Sequence, residues 1–264
     1  MTVAGGILNN ASGSAITLFN NNVQNWTGNF AWAGSNDLNL GNGAVTLGAN
    51  RAISFLNGNI SSQVSGSGAL TVGGVIADGG ANYSLTVGNA GRINTQTVVL
   101  GNTANTYGGG TVIESGVVQA AGIGSLGAAG QNVRVNSGAT LSAAYAIDQA
   151  TLQKLTSNST GSVALAGVNS SNNLDFSSAG VNLPVSLGAT GTATYSGTLT
   201  PQGQTYRLGG GFGTLNMTNV LGDVNAAPTA LVVGSGGSSG TVNLNAAGTY
   251  SGGTTVTGIP GSTA

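Results

Sequence analysis

The chain has 264 residues, of which 48 are glycine and only 4% are charged, and its formal net charge is −1. It contains no cysteine and no histidine, which excludes a disulfide scaffold and removes the commonest metal ligand and general base. The five basic residues are scattered singly, so no basic stripe for nucleic acid or anionic lipid is formed. The low charge and the 40% hydrophobic content indicate a folded chain rather than a disordered one.

Short apolar-rich runs recur along the chain and are separated by Gly, Asn or Ser. Most of them alternate with a period of two, which is the pattern of a half-buried β-strand, and Val, Ile and Thr favour strands. Several runs end in Gly, where we expect corners with a backbone conformation that other residues resist. The sequence thus predicts an all-β chain with strands centred on Thr17, Asn39, Thr46, Thr71, Thr86, Val99, Arg134, Ala164, Ser186, Val232 and Asn243.

Residues 143–156 depart from this pattern because they contain no glycine. Ile147, Thr151 and Leu155 are spaced four apart, as are residues on one face of a helix. We therefore predict a short helical insertion at 143–156 that protrudes from the strand stack or lies along it.

A nine-residue segment occurs twice, as NTYGGGTVI from Asn105 and as GTYSGGTTV from Gly248. The similarity extends backwards, since Leu70 matches Leu215 at an offset of 145 residues and Leu85 matches Leu231 at 146. Long-range self-similarity of a glycine-rich chain is the signature of a solenoid. We predict that residues 1–264 form a single β-solenoid segment in which residues 45–113 and 185–256 are duplicated units.

At these two segments the chain resembles the autotransporter-associated β-strand repeat of very large bacterial surface proteins, whose core reads Asn-Thr-Tyr-Ser-Gly-Gly-Thr-Thr-Val. The resemblance covers most of residues 45–257 and implies a right-handed parallel β-helix that is secreted or displayed on the cell surface. Two departures stand out, because Gly108 replaces the usual Ser and Ile259-Pro260 replaces the expected continuation. The chain also begins without a signal-peptide pattern, so either the protein stays inside the cell or the chain is a piece of a longer protein. We expect a piece of a longer exported protein, because the second copy of the repeat stops abruptly at residues 258–264.

The charged residues do not suggest an active site. The six acidic residues are spread widely, at Asp37, Asp78, Glu114, Asp148, Asp175 and Asp223. Asp78 and Asp223 occupy equivalent places in the two copies, which we expect to lie several coils apart, so turn-capping roles are favoured over glycoside hydrolysis. No acid cluster accompanies any basic residue, as a polysaccharide lyase would require, and no Gly-Gly-x-Gly-x-Asp repeat provides a calcium site. We predict no catalytic residue, no metal site and no cofactor.

Two further features suggest binding surfaces. Trp26, Phe30 and Trp32 form the one local aromatic cluster, which we interpret as packing over the first coils, with glycan or protein contact as the alternative. Alternating threonines at 190–194 and 198–200 resemble the flat hydroxyl arrays of ice-binding surfaces, but two short runs do not make a face. The glycine runs at 108–110 and 209–211 are expected to be turns, because no Lys-Ser/Thr follows them.

The sequence therefore predicts a structural protein and not an enzyme. We expect a non-catalytic rod segment of an extracellular bacterial surface protein, similar to an autotransporter passenger or stalk, that serves display, adhesion or self-assembly. The alternative is an adhesin module that binds a glycan or a host protein, and a polysaccharide-cleaving β-helix enzyme ranks below both. The expected partners are a second copy through the end coils, a glycan or a surface protein, but not nucleic acid and not a membrane spanned by this segment.

Overall fold

The computed structural model describes residues 1–56, 66–178, 180–234 and 236–257. The chain is an all-β parallel β-solenoid of about 11 turns with a single short helix, so the predicted fold class is confirmed. It divides into two compact units, Met1–Val133 and Arg134–Ala264. That residues 1–264 form one uninterrupted segment stays a prediction, and part of the predicted repeat unit 45–113 lies outside the described residues.

Unit 1 is built from short strands that occupy three sheets in turn, and each coil up to β12 adds one strand to each sheet. Within this unit the sheets run β1-β4-β7-β10, β2-β5-β8-β11-β13 and β3-β6-β9-β12-β14, and their strands pair in parallel. The strand bounds are β1 Thr2–Val3, β2 Ile7–Leu8, β3 Ile16–Thr17, β4 Gln24–Trp26, β5 Phe30–Trp32, β6 Leu38–Asn39, β7 Val45–Leu47, β8 Arg51–Phe55, β9 Leu70–Val72, β10 Ile76–Ala77, β11 Leu85–Val87, β12 Thr97–Leu100, β13 Thr111–Ile113 and β14 Gly116–Ala120. A 3₁₀ turn follows at Ile123–Leu126.

The parallel register of unit 1 places like residues over like. Leu38, Leu70, Val98 and Val118 are successive register partners, and all four are buried. On the outer side Thr2, Asn25 and Thr46 form an exposed polar column. Alternation along each strand thus produces continuous apolar columns inside and uncharged polar columns outside, which avoids stacking like charges.

Unit 2 is also built from parallel strands in three sheets. Strand β15 (Val133–Val135) contains the boundary between the units. The remaining strands are β16 Ala139–Ala143, β17 Ser162–Leu165, β18 Leu174–Asp175, β19 Ser186–Ala189, β20 Thr192–Tyr195, β21 Leu199–Thr200, β22 Thr205–Leu208, β23 Thr214–Met217, β24 Ala230–Val233, β25 Thr241–Leu244 and β26 Thr254–Val256. Its sheets run β16-β17-β19-β22-β24-β26, β18-β21 and β20-β23-β25.

The helix α1 spans only Gln149–Gln153, so the predicted bounds of 143–156 are wrong at both ends. Ala143 belongs to β16. The carboxylate of Asp148 accepts a hydrogen bond from Thr151 N (2.9 Å) and thereby caps the helix at its start. The spacing of four residues did predict which side chains face inward, because Ile147, Thr151 and Leu155 are all buried.

The expectation for glycines at strand ends holds at two of five positions. Gly88 (φ 93°) and Gly234 (φ 89°) adopt the left-handed conformation, which strongly favours glycine. Gly48, Gly101 and Gly188 are not among the residues with positive φ. At Gly188 the reason for glycine is crowding, because a side chain there would collide with the carbonyl oxygen of Gly210.

Candidate functional site

The repeated Tyr-x-Gly-Gly-Thr segment forms a hydrogen-bonded pair of hydroxyl groups in unit 1. The hydroxyl of Tyr107 lies 2.6 Å from Thr111 Oγ1, and Thr111 Oγ1 donates to the carbonyl oxygen of Leu126 (3.2 Å). Both side chains are buried. Burial raises the pKa of Tyr107 above its ordinary value, so the phenol stays protonated and acts as a donor.

The next coil of unit 1 closes over this pair. Asn105 Nδ2 donates to the carbonyl oxygen of Ser125 (2.8 Å), and Ala128 N donates to the carbonyl oxygen of Tyr107 (3.1 Å). A side chain at Gly127 would come within 3.0 Å of the Tyr107 ring. The segment around the 3₁₀ turn is therefore fitted to the tyrosine beneath it and removes it from solvent.

The second copy of the segment, in unit 2, makes equivalent backbone hydrogen bonds to the coil that precedes it. Strand β13 pairs with β11 through Leu85↔Thr111, and β26 pairs with β24 through the equivalent Leu231↔Thr254. The supporting bonds correspond as well: Thr106 N to Ile76 O matches Thr249 N to Leu221 O, Gly109 N to Tyr83 O matches Gly252 N to Thr229 O, and Leu85 N to Gly110 O matches Leu231 N to Gly253 O. The two copies of the segment thus fold in the same way on the coil that precedes each.

The cover over the second copy is different. Tyr250 OH lies 2.7 Å from Thr254 Oγ1, as in unit 1, but Tyr250 is half-exposed and Thr254 is exposed. Among the described residues no backbone carbonyl accepts a hydrogen bond from either hydroxyl. Leu244 is 45% exposed and Val256 is 75% exposed, although their register partners Met217 and Val233 point to the inside of the coil below.

One carboxylate ties each copy of the segment to the preceding coil. Asp78 accepts hydrogen bonds from the backbone N–H groups of Gly80 (2.9 Å), Tyr83 (2.8 Å) and Gly108 (2.8 Å). Burial opposes the charge of Asp78, but these N–H groups prevail and lower its pKa. Asp223 accepts from the N–H groups of Ser251 and Thr229, both at 2.8 Å, which lower its pKa. The equivalence predicted for the two acids therefore extends to their bonds.

Three of the other acidic residues lie in different parts of the fold. Asp37 accepts a hydrogen bond from Ala69 N, Asp148 caps α1, and Asp175 accepts one from Ser177 N. In the parts of the chain that the structure describes, no three acidic, histidine or cysteine side chains are grouped closely enough to hold a metal ion.

The aromatic cluster belongs to the core. Trp26 and Trp32 are fully buried and Phe30 is 4% exposed, with Trp26 and Phe30 in edge-to-face contact at 5.2 Å. Their strands β4 and β5 stack on ordinary strands, since Trp26 pairs with Leu47 and Trp32 with Phe55. These rings are therefore inaccessible to a glycan or a protein.

Unit 2 carries two outward polar columns that the sequence reading missed. Thr192, Thr214 and Thr241 are successive register partners, and so are Thr194, Asn216 and Asn243. Asn243 Nδ2 donates to Asn216 Oδ1 (2.8 Å). Thr200 lies in the separate β18-β21 sheet and adds nothing to these columns. The irregular coil lengths conceal the match, because the threonines are 22 and then 27 residues apart.

A polar cleft of about 330 Å³ lies beside α1. The side-chain amide of Gln149 spans the backbone of Asp175, donating to its O (3.0 Å) and accepting from its N (2.9 Å). The rest of the lining consists of Gln153, Asn173, Leu174, Gly180 and Thr200. The amide group of Gln149 thus fastens α1 to β18, which gives it a structural role in this cleft.

Among the described residues, no helix is long and apolar enough to cross a membrane. Comparison with known proteins gave no matching family model, no matching curated protein and no matching solved structure. The chemistry of the coils themselves is therefore the basis for assigning a role.

Proposed function

We propose that the chain is a structural, non-catalytic segment of an extracellular bacterial surface protein, in which stacked coils space and display other parts of the protein. The observation that carries this proposal is how the polar residues of the repeated motif are used. The hydrogen bonds of Tyr107, Thr111 and Asp78 join them to backbone or side-chain groups of their own and neighbouring coils. Motif residues that serve coil stacking are expected of a structural repeat.

The extracellular location is supported by the resemblance of the Tyr107 and Tyr250 segments to the autotransporter-associated repeat. The chemistry agrees with this location, because a ladder of backbone hydrogen bonds and apolar columns needs neither thiols nor a metal to stay folded outside the cell. Both observations favour a segment of an exported protein.

Antibodies raised against the recombinant chain test this proposal on intact cells of the source bacterium. We expect surface labelling that is lost when the cells are treated with an external protease strong enough to degrade the chain. A cytoplasmic marker protein serves as the control for cell integrity. Labelling that requires permeabilised cells would contradict the extracellular assignment.

An adhesin module is the second candidate, and the two outward polar columns of unit 2 favour it. Their hydroxyl and amide groups are presented at the regular spacing of the strands, about 4.8 Å between coils, which suits a repetitive polar ligand such as a glycan. A glycan array probed with the wild-type chain and with the Asn216→Ala variant tests this role. Binding that the variant loses supports it, and an array without binding rejects it.

A further inference from the structure

Three neighbouring strands of unit 2 are buried on both faces. In β16, β17 and β19 the inward side chains include the register partners Leu141, Val163 and Leu187. The side chains that alternate with them point outward, yet they are buried as well: Thr140, Ser142, Ser162, Ala164 and Ser186. The outward face of a single-layered stack would be exposed to solvent, so a second layer of chain covers these three strands.

The covering layer consists of two glycine-rich segments of the same unit, residues 209–213 and 236–240, which we call the glycine strap. Ser238 contacts the strands beneath it. Its Oγ lies 3.3 Å from Thr140 Oγ1 in β16 and 3.4 Å from Ser162 Oγ in β17. All three side chains are buried, so the strap seals these hydroxyl groups from solvent.

The two halves of the strap are bonded to each other. Ser238 Oγ accepts a hydrogen bond from Gly211 N (3.1 Å), and Phe212 N donates to the carbonyl oxygen of Ser239 (2.7 Å). The segments that follow β22 and β24 therefore lie over the strands as one layer.

The strap needs glycine because it lies directly on the strands beneath it. A side chain at Gly210 or at Gly236 would collide with Ser162. Gly210 also has a φ of 100°, a backbone conformation that side chains resist. The glycines thus let the main chain of the strap approach β17 as closely as a packed side chain would.

The strap joins coils that are not neighbours in the stack. Strands β17, β19 and β22 lie between β16 and β24 in their sheet. Residues 236–240 come after β24 in the chain, yet Gly138 N, next to the start of β16, donates to Gly236 O (2.9 Å), and Ser238 contacts Thr140 of β16 itself. The coils of a solenoid ordinarily contact only their nearest neighbours. The strap therefore adds direct contacts between coils that the strand ladder connects only through intervening strands.

We propose that the glycine strap couples the coils of unit 2, so that those from β16 to β24 open as one cooperative block. In a stack held together by nearest-neighbour contacts alone, one coil can open while coils further along stay folded. With the strap in place, the coil of β24 cannot separate without breaking the contacts of Ser238 to β16 and β17. The inference concerns the folding of unit 2 and does not depend on where the protein is located.

Native-state hydrogen exchange of the 264-residue chain at increasing, non-denaturing concentrations of urea tests the proposal. In the wild type we expect the amide protons of β16, β17, β19, β22 and β24 to exchange with one common free energy of opening. Ser238→Ala removes the hydroxyl that contacts Thr140 and Ser162, so the amide protons of β22 and β24 should then exchange about tenfold faster than those of β16 and β17. Ser239→Ala is the matched control, because Ser239 takes part in the strap through its carbonyl oxygen; it should exchange like the wild type.

A second pair of variants displaces the strap as a whole. Gly210→Ala places a methyl group against Ser162, which should accelerate exchange in β22 and β24 about a hundredfold relative to β16 and β17. Gly191→Ala is the matched control, since φ is 97° at Gly191 and 100° at Gly210, but the nearest atom to an added Cβ at Gly191 is 4.0 Å away. The two variants carry similar backbone strain, so the difference between them reports the contact with the strands. Circular dichroism verifies that both are folded.

Three results would overturn the proposal. Exchange in the wild type that already differs between β16 and β24 would mean that the coils open independently. Equal acceleration in all five strands of Ser238→Ala would mean that the strap adds stability without coupling the coils. Equal effects of each variant and its control would mean that contact between the strap and the strands is unimportant. If Gly210→Ala does not fold, the comparison of Ser238→Ala with Ser239→Ala decides alone.

Discussion

The coils of Tyr107 and Tyr250 have the same ladder bonds, the same hydroxyl pair and an equivalent carboxylate, yet Tyr107 is fully buried and Tyr250 is half-exposed. The difference lies in what covers them. The segment around the 3₁₀ turn at Ile123–Leu126 seals the first, and no described residue plays that part for the second. The comparison teaches that the motif folds a coil onto its predecessor, whereas burial of the motif is supplied by the coil that follows.

Truncation of the tyrosine should give the largest difference in stability loss between the two coils. Tyr107→Ala removes a fully buried ring and should lower the free energy of unfolding by about 4 kcal/mol. Tyr250→Ala removes a ring with one open side and should cost about 1 kcal/mol. Urea titrations measure both. Trp26 and Trp32 both lie in unit 1, so tryptophan fluorescence follows the first variant and circular dichroism the second. Equal losses would mean that coverage by the next coil does not matter.

Removal of the carboxylate should give the second-largest difference in stability between the two coils. Asp78→Ala leaves the N–H groups of Gly80, Tyr83 and Gly108 without their charged acceptor, which should cost about 3 kcal/mol. Asp223→Ala acts at an exposed position, where water replaces the acceptor, so its loss should be clearly smaller. Urea titration of the two variants against the wild type provides the measurement. A larger loss of stability in Asp223→Ala than in Asp78→Ala would contradict the conclusion that the coil of Tyr107 is the better covered of the two.

Replacement of the threonine isolates a single hydroxyl. Thr111→Val keeps the shape of a buried side chain but removes the acceptor of Tyr107 and the donor to Leu126, so unfolding should become easier by about 1.5 kcal/mol. Thr254→Val acts on an exposed strand and should change the free energy of unfolding little. Thermal unfolding by circular dichroism compares the two. A matching loss in Thr254→Val would indicate that the second hydroxyl pair is also sealed.

Acid should affect the covered coil through Asp78. Its pKa is lowered in the folded chain because the backbone N–H groups outweigh the effect of burial. A lowered pKa contributes stability above the unfolded-state value, and this contribution is lost as the pH falls through the folded-state pKa. The Asp78→Asn variant should therefore lose less stability than the wild type between neutral pH and acid. Urea midpoints followed by tryptophan fluorescence at several pH values measure this, and parallel pH profiles for the two proteins would exclude the role of Asp78.

Much of the fold could be predicted from local sequence, because alternation with a period of two marks which side of a short strand faces inward. Strands β7, β9 and β11 are centred on the predicted residues Thr46, Thr71 and Thr86. Strands β4 and β5 were not anticipated, since Trp26 and Trp32 were interpreted as a packed cluster rather than as inward members of regular strands. The predicted helix bounds were also wrong. The four-residue spacing extends from Ile147 to Leu155, whereas the Asp148 cap fixes the start of α1 and the helix ends at Gln153.

Less of the candidate site could be predicted from the sequence. The offset of 145 residues paired Asp78 with Asp223, but their role as acceptors from the next coil depends on contacts that cross about 30 residues of chain. Whether Tyr250 is covered depends likewise on which segment lies over it. The polar columns could not be predicted either, because the number of residues between their members varies from coil to coil.

The ladder of unit 2 tolerates changes in loop length. The offset between the copies falls from 146 residues at Leu85 and Leu231 to 143 at Tyr107 and Tyr250, yet the strand register at Thr111 and Thr254 is the same. Insertions and deletions between strands are therefore absorbed at the periphery. Such a chain can serve as a carrier for foreign peptides, with an epitope spliced into a connecting loop while the stacked strands beneath it keep their alignment.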